Sequence, residues 1–483
     1  MRLHGLKAAL LLGACLAAGP AQADTLKEAL LQAYLGNPQL EAARAQLRAT
    51  DENVAIQQSS GLPSLSSSAN LTEFLKSSSS SFISPQRSLS ANLDLGVPIY
   101  SGGSVRNGVQ AAETRVMAGR ADLRGTESAI FAQVVAAYMD VIQNEAIVGL
   151  SGNNVDVLAI NLEATSDRFE IGELTRTDVA QSASRLALAR GDLRTAQANL
   201  INARENYIAL VGAAPQDLQA PPPLPGLPAS PDDAVDLALE HNPDLISARE
   251  RAVAAGYEID VAGAGRLPRL EAFASGGYQN YLGTLGSIPG TGSADQVSTT
   301  AQAGLRLSIP IFQGGRISAQ QRQAQANSSA ALENAIAAER SVIAQVRAAY
   351  SSWRAANAII ASTQAAVDAA ELSLEGVRAE NSIGNRQILD VLNAEQELLA
   401  ARVQLVAARR NEYVAGFSLL AAMGRAEARD LGLDDEGILY DPTVNYDRAR
   451  RLHSDWQSDP DPIAATRSTV DIPAPDGEIP AQQ

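Results

Sequence analysis

Cysteine is almost missing from this chain of 483 residues: the single one is Cys15. Histidine is nearly as scarce, with only His4, His241 and His453. Beyond the first fifteen residues, that inventory leaves nothing to build a zinc site or a Cys/His dyad, and two distant histidines as general bases. Aromatic residues make up 4 % of the chain although 46 % is hydrophobic. Ala and Leu therefore carry the apolar share, which suits helices packed at close range better than a large globular core. Positive charge is short too, with 38 Lys and Arg against 54 Asp and Glu and a formal net charge of −16. So acidic a surface is a poor binder of phosphate backbones, and nucleic acid is excluded as a partner. No Walker-type glycine loop, dinucleotide fingerprint or Gly-x-Ser-x-Gly elbow occurs. No enzymatic activity, cofactor or metal is expected.

What is present begins with an export signal. Arg2 and Lys7 precede an apolar run over 8–18, then Pro20 and Ala21-Gln22-Ala23. A basic region, an apolar region and an A-x-A site in that order predict a signal peptide over 1–23. The alternative is a lipoprotein box, Leu12-Gly13-Ala14-Cys15, which leaves lipidation of Cys15 open. Downstream no run reaches 18 apolar residues, so no transmembrane helix is expected, whereas the alternating strands of a barrel would escape a hydropathy scan.

The chain is also written twice. Asn37-Pro38 returns as Asn242-Pro243, Arg44 as Arg249, and Leu62-Pro63 as Leu267-Pro268, all 205 residues apart. Val97-Pro98-Ile99-Tyr100 with Gly102-Gly103 then matches Ile309-Pro310-Ile311-Phe312 with Gly314-Gly315, 212 apart. That register persists through Ile171-Gly172 and Ile383-Gly384, Asp178-Val179 and Asp390-Val391, and Gly212 and Gly424. Such a period is too long for a solenoid and marks a tandem duplication. The predicted organisation is a first repeat over 24–213, a Pro-rich linker over 214–231, a second repeat over 232–424 and a C-terminal segment over 425–483 that is disordered beyond about 440.

Each repeat reads in the same order: a helix (26–60 and 232–263), a β-hairpin (about 65–100 and 268–312) and a long helical hairpin (103–213 and 315–424). Leu89, Ala91, Leu93, Leu95, Val97 and Ile99 alternate with mostly polar neighbours, as do Ala301, Ala303, Leu305, Leu307, Ile309 and Ile311. Alternation of that length matches a membrane-spanning barrel strand. The hairpin tips, serines at 77–81 and a glycine-rich stretch at 283–292, read as loops. Leu186, Leu193, Leu200 and Tyr207 recur every seven residues with Ala189, Ala196 and Ala203 three later, a coiled-coil seam with a small-residue edge.

Four strands cannot close a barrel, and an open edge in hydrocarbon would leave backbone groups unpaired. Copies of the chain must share one barrel. Two copies supply eight strands, which fill their own interior; three supply twelve and leave a conduit. With the Asn-Pro helices, the two Pro-Ile-(Tyr/Phe)-x-Gly-Gly junctions and the stretch from Ile383-Gly384 to Asp390-Val391-Leu392-Asn393-Ala394, the chain resembles the TolC family of outer-membrane efflux channels. The resemblance implies an α+β membrane protein: a homotrimer whose twelve-stranded outer-membrane β-barrel, four strands per chain, continues into a twelve-helix periplasmic α-barrel. It implies partners, namely outer-membrane lipid, a periplasmic adaptor (membrane fusion) protein and an inner-membrane pump or ABC exporter. The function implied is passive conduction of small molecules or polypeptides from pump complex to exterior.

Carried over position by position, the resemblance places Asp390 and Asn393 at the periplasmic pore constriction, where a carboxylate ring favours cations. Asn393 stands where the family has a second acid, so the ring is expected to be single. Asp178 and Arg386 match a pair that locks the tunnel mouth, and Asn381 replaces a tyrosine of that lock. Gly172 and Gly384 read as hairpin-tip turns, and Pro98, Gly102, Gly103, Pro310, Gly314 and Gly315 as strand-to-helix corners. The competing reading is a soluble periplasmic coiled-coil adaptor, which explains the helical hairpins but not the alternating segments. A secreted carboxylate hydrolase finds no cleft-forming α/β pattern.

Overall fold

The structure, a computed structural model, describes residues 24–76, 84–286, 292, 294–434 and 437–473. The predicted signal peptide with Cys15, the serine run at 77–81, part of the 283–292 tip and the last ten residues lie outside the described residues.

Where the sequence predicts one opening helix per repeat, there are two. In the first repeat α1 (Leu26–Gly36) meets α2 (Pro38–Ser59) at Asn37. Asn37 has extended backbone, and its side-chain oxygen accepts from the N–H of Gln39 at 2.9 Å. Pro38 follows at the first helical position, where its missing N–H costs nothing. Then come β1 (Ser64–Glu73), β2 (Arg87–Tyr100), α3 (Ser104–Glu170) and α4 (Arg176–Val211). The second repeat repeats the order: α5 (Pro231–His241) and α6 (Pro243–Gly263) break at Asn242, and β3 (Arg269–Asn280), β4 (Val297–Ser308), α7 (Arg316–Ser382) and α8 (Ile388–Ala422) follow. Helices α3 and α7 each run 67 residues, roughly 100 Å.

The four strands form one antiparallel sheet in the order β1-β2-β3-β4. Pairing places Leu65, Leu95, Ala274 and Ala303 in one row and Ser66, Asp94, Ser275 and Gln302 in the next. One face is therefore Leu- and Ala-rich and the other is mostly Ser, Thr, Asn, Gln and Gly, with a few charged residues and Phe273. Leu65, Leu305 and Leu307 on the apolar face stay 66, 67 and 59 % exposed in the single chain. Both outer strands, β1 and β4, keep an unpaired edge. The pairing of β2 shifts register between Pro98 and Tyr100, where proline has no N–H to give. Strand β4 stops at Ser308, short of the expected 312, and Pro310 lies outside it. The difference has a cause: β4 pairs only with β3, which begins at Arg269 opposite Ser308, so β4 has no partner beyond that residue, whereas β3 still pairs with β2 at Tyr100 through Leu270.

The glycines at the corners are conformational. Gly103 and Gly315, at φ 85° and 82°, occupy the left-handed region immediately before α3 and α7. A Cβ on Gly102 would fall 2.8 Å from the Cβ of Leu267.

The main core lies midway along the long helices, around Tyr34, Phe131, Tyr138, Leu245 and Phe417. The linker is strapped onto it by tyrosine hydroxyls. Tyr138 donates to the carbonyl of Gln219 at 2.6 Å or of Asp24 at 2.9 Å, Tyr413 to that of Pro222 at 3.2 Å, and Tyr350 to that of Ala229 at 2.8 Å. The expected disorder beyond 440 needs correction. Asp441 caps a further helix, α9 (Pro442–Ala449), which packs on α2. Asn445 donates to the buried Asp51 at 2.8 Å, and the Arg120 guanidinium lies 5.3 Å from the Tyr446 ring. A capped turn with two such anchors holds a segment that composition alone reads as polar tail.

Candidate functional site

The end of the molecule farthest from the sheet consists of two turns, one between α3 and α4 and one between α7 and α8. Gly172 and Gly384, at φ 83° and 80°, make these turns possible, since other residues adopt that conformation only with strain. Each turn is followed by an acid at the third helical position, Asp178 in α4 and Asp390 in α8, which are equivalent residues of the duplication.

Asp178 is occupied locally. Its Oδ2 accepts from the Thr175 hydroxyl at 2.7 Å and the Thr175 N–H at 2.8 Å, and the Asp178 N–H donates back to the Thr175 hydroxyl at 3.3 Å. This reciprocal cap satisfies donors that a helix start leaves open. The Thr175 hydrogen bonds hold the Asp178 carboxyl below the usual carboxylate range. Arg386 is engaged as well: its Nε meets Glu380 at 2.7 Å, and its Nη1 lies 4.0 Å from Asp390. Within one chain, among the described residues, the expected Asp178–Arg386 pair does not form, because each member is taken by a nearer group in its own turn. Asn381 donates to the carbonyl of Arg386 at 2.8 Å and so braces the turn.

Asp390 keeps a 40 % exposed side chain while its Oδ2 accepts from the Gln387 N–H at 3.3 Å. It closes the first turn of α8 and still presents charge to solvent. Asn393, one turn on, is not free: its Oδ1 accepts from Nη2 of Arg185 in α4 at 2.8 Å, and Nη1 of the same arginine pairs with Gln396. Beneath this contact Leu392 is 1 % exposed, packed with Leu158, Leu186 and Ala189 of the first hairpin. The two hairpins are thus joined near the tips by one arginine and one leucine. A second cluster, Val367, Ala370 and Leu374 with Val391, Ala394 and Leu398, closes the α7–α8 hairpin on itself.

Sequence reasoning missed Arg185, Glu380 and Leu392. The signal for Arg185 was available: it lies seven residues after Asp178, two turns along one face of α4. Nothing in the spacing says that this face meets α8.

A family model described as outer membrane efflux protein matches residues 29–213 and 234–425, the two halves of the duplication. The outer membrane efflux protein BepC of Brucella suis biovar 1 (strain 1330) is 35 % identical to the chain over 439 residues, covering 91 % of this chain and 93 % of BepC. Outer membrane protein TolC of Escherichia coli (strain K12) is 28 % identical over 424 residues, covering 85 % of this chain and 84 % of its own. In fold, the Campylobacter jejuni CmeC outer membrane channel matches with a TM-score of 0.72 at 18 % identity, over 93 % of this chain and 98 % of that one.

Proposed function

The chain belongs to the outer membrane efflux protein family, and on that footing we propose how its tip residues govern passage. It is an outer-membrane exit duct of an efflux or type I secretion system. Three copies close a twelve-stranded barrel that continues into a helical tunnel through the periplasm, and cargo passes without energy input from the duct itself. The observation that carries this function is the sheet: four strands with one apolar face, one polar face and two open edges, continuous with helices roughly 100 Å long. A soluble adaptor has no use for such an apolar face, and that reading is set aside.

At the mouth, three Asp390 carboxylates form the narrow ring, with Arg386 beside each as a partial counter-charge. Asn393 contributes no charge, and its link to Arg185 holds the second hairpin against the first. In this chain Arg185, Asn393 and Gln396 tie the two hairpins together, while Asp178 serves its own helix. The tips are the docking end for a periplasmic adaptor and an inner-membrane pump or ABC exporter. Purified trimer in a planar lipid bilayer tests the assignment. Cation preference should fall in Asp390→Asn at unchanged trimer yield. An unchanged preference removes Asp390 from the ring, and no conductance from the parent protein removes the duct.

A further inference from the structure

The polar face of the sheet is the face that a barrel turns toward water. Most of it is small: Ser66, Ser68, Asn70, Ser90, Asn92, Thr300 and Gln302 follow one another across the strands. At the helix-side end the pattern changes. Glu271 and Phe273 of β3 and Arg306 of β4 share this parity, with Glu271 opposite Arg306 and Phe273 opposite Gly304. The Arg306 guanidinium carbon lies 4.8 Å from the Phe273 ring centroid, and its Nη1 lies 3.7 Å from Glu271. Glycines make room on both sides. A Cβ on Gly304 would sit 3.3 Å from the Phe273 ring, and one on Gly96 would meet Glu271 at 2.6 Å.

A large ring on a wetted, largely polar face has no core to fill, yet β4 is cut back to Gly304 beside it, as β2 is to Gly96 beside Glu271. Twelve strands about 4.8 Å apart and tilted by about 40° enclose a backbone cylinder roughly 24 Å across. Only long side chains narrow such a space. Resting on the duct reading above, we infer that Glu271, Phe273 and Arg306, repeated three times, form a collar at the junction of barrel and tunnel that sieves cargo by size. Charges of this parity are Asp94, Arg269, Glu271 and Arg306, two of each sign, so the collar discriminates by bulk rather than by charge.

Cys15 is the only cysteine of the chain and is either removed with the predicted leader or blocked as a lipidated thioether, so a single introduced thiol reports cleanly. Thr300→Cys stands outside the collar and Ser308→Cys one row inside it. Cells carrying either variant are treated from outside with polyethylene glycol maleimides of graded mass. The smallest reagent should label both sites, and labelling of Ser308→Cys should cease at a lower mass than that of Thr300→Cys. Adding Phe273→Ser and Arg306→Ser should close that gap. Equal labelling of both sites at every mass overturns the collar and leaves the duct intact. A gap that persists in the double variant overturns its assignment to these side chains. Failure of the smallest reagent at Thr300→Cys overturns the lumen assignment of this face and the duct reading with it.

Discussion

The duplicated Asn-Pro step shows how one side chain organises two helices. Asn37 caps α2 with its oxygen and donates its Nδ2 to the carbonyl of Leu210 at the end of α4, at 3.0 Å. Asn242 does the same for α6 and the carbonyl of Ala422 at the end of α8, at 2.9 Å. Each buried asparagine thereby satisfies open donors of one helix and an open acceptor of another. Arg44 and Arg249 repeat the economy, donating at 3.1 Å to the carbonyls of Tyr34 and Leu239 at the ends of α1 and α5. The repeat made these residues visible in the sequence, but not the long helices whose ends they close, because capping across elements leaves no local spacing. Asn242→Ala should cost about 1–2 kcal/mol per chain and lower the thermal midpoint of the detergent-solubilised trimer. Asn242→Asp, which keeps the cap but loses the Nδ2 donor, should fall between. Equal midpoints for all three proteins would deny the asparagine this role. Glu127 makes a second test. Burial pushes its carboxyl from the ordinary 4.5 to about 7, opposed by the Ala428 N–H that donates to it and reinforced by Glu427. Between those values the folded chain keeps a proton that the unfolded chain releases, so stability falls as pH rises from about 4.5 to 7 and stays low above. Glu127→Gln should flatten that part of the pH profile of the midpoint and raise stability at pH 8 by on the order of 1–3 kcal/mol. A parallel profile in the variant would refute it.

Among the elements, the long helical hairpins were the most legible. Their heptads, the small-residue edge and the two mid-stretch glycines anticipate the turns that the structure contains; Leu186, Ala189, Ala196, Ala203 and Tyr207 of the predicted seam are buried, while Leu193 and Leu200 are half-buried. The tip contacts were less so. Thr175-x-x-Asp178 has the spacing of a capping box and could have been read as one; a lock with Arg386 follows only from resemblance. The contact between hairpins depends on which face of α4 meets α8, and that is a tertiary choice. It is also where gating should respond. Arg185 bridges the two hairpins, whereas Arg378 pairs with Glu395 inside the second hairpin alone. Arg185→Ala should therefore raise the open fraction in single-channel recordings several-fold, and Arg378→Ala should leave it within error. Each exposed contact of this kind contributes no more than about 1 kcal/mol, but three act on one mouth, and a gate whose states lie within a few kcal/mol responds to that. Equal recordings from both variants would deny Arg185 a part in gating.

In the assembled trimer, sequence and environment must agree strand by strand, because one-residue alternation decides which side chains meet lipid. The strand register puts Ala303 in the row of Leu65, Leu95 and Ala274, and Gln302 in the row of Ser66, Asp94 and Ser275. These neighbours along β4 see opposite solvents. Membrane insertion of a charged side chain on the outer face costs about 2–4 kcal/mol near the midplane and little on the lumen side. The cost falls on all three copies, and no local rearrangement avoids it, since slipping β4 by one residue would turn its whole apolar set inward. Ala303→Arg should accordingly deplete folded trimer from the outer-membrane fraction, while Gln302→Arg, one position away and equal in charge, should assemble at parental levels and alter only conductance. Comparable loss from both variants would mean that β4 is not divided between lipid and water. The unpaired edges of β1 and β4 would then need some covering other than a neighbouring copy of the chain.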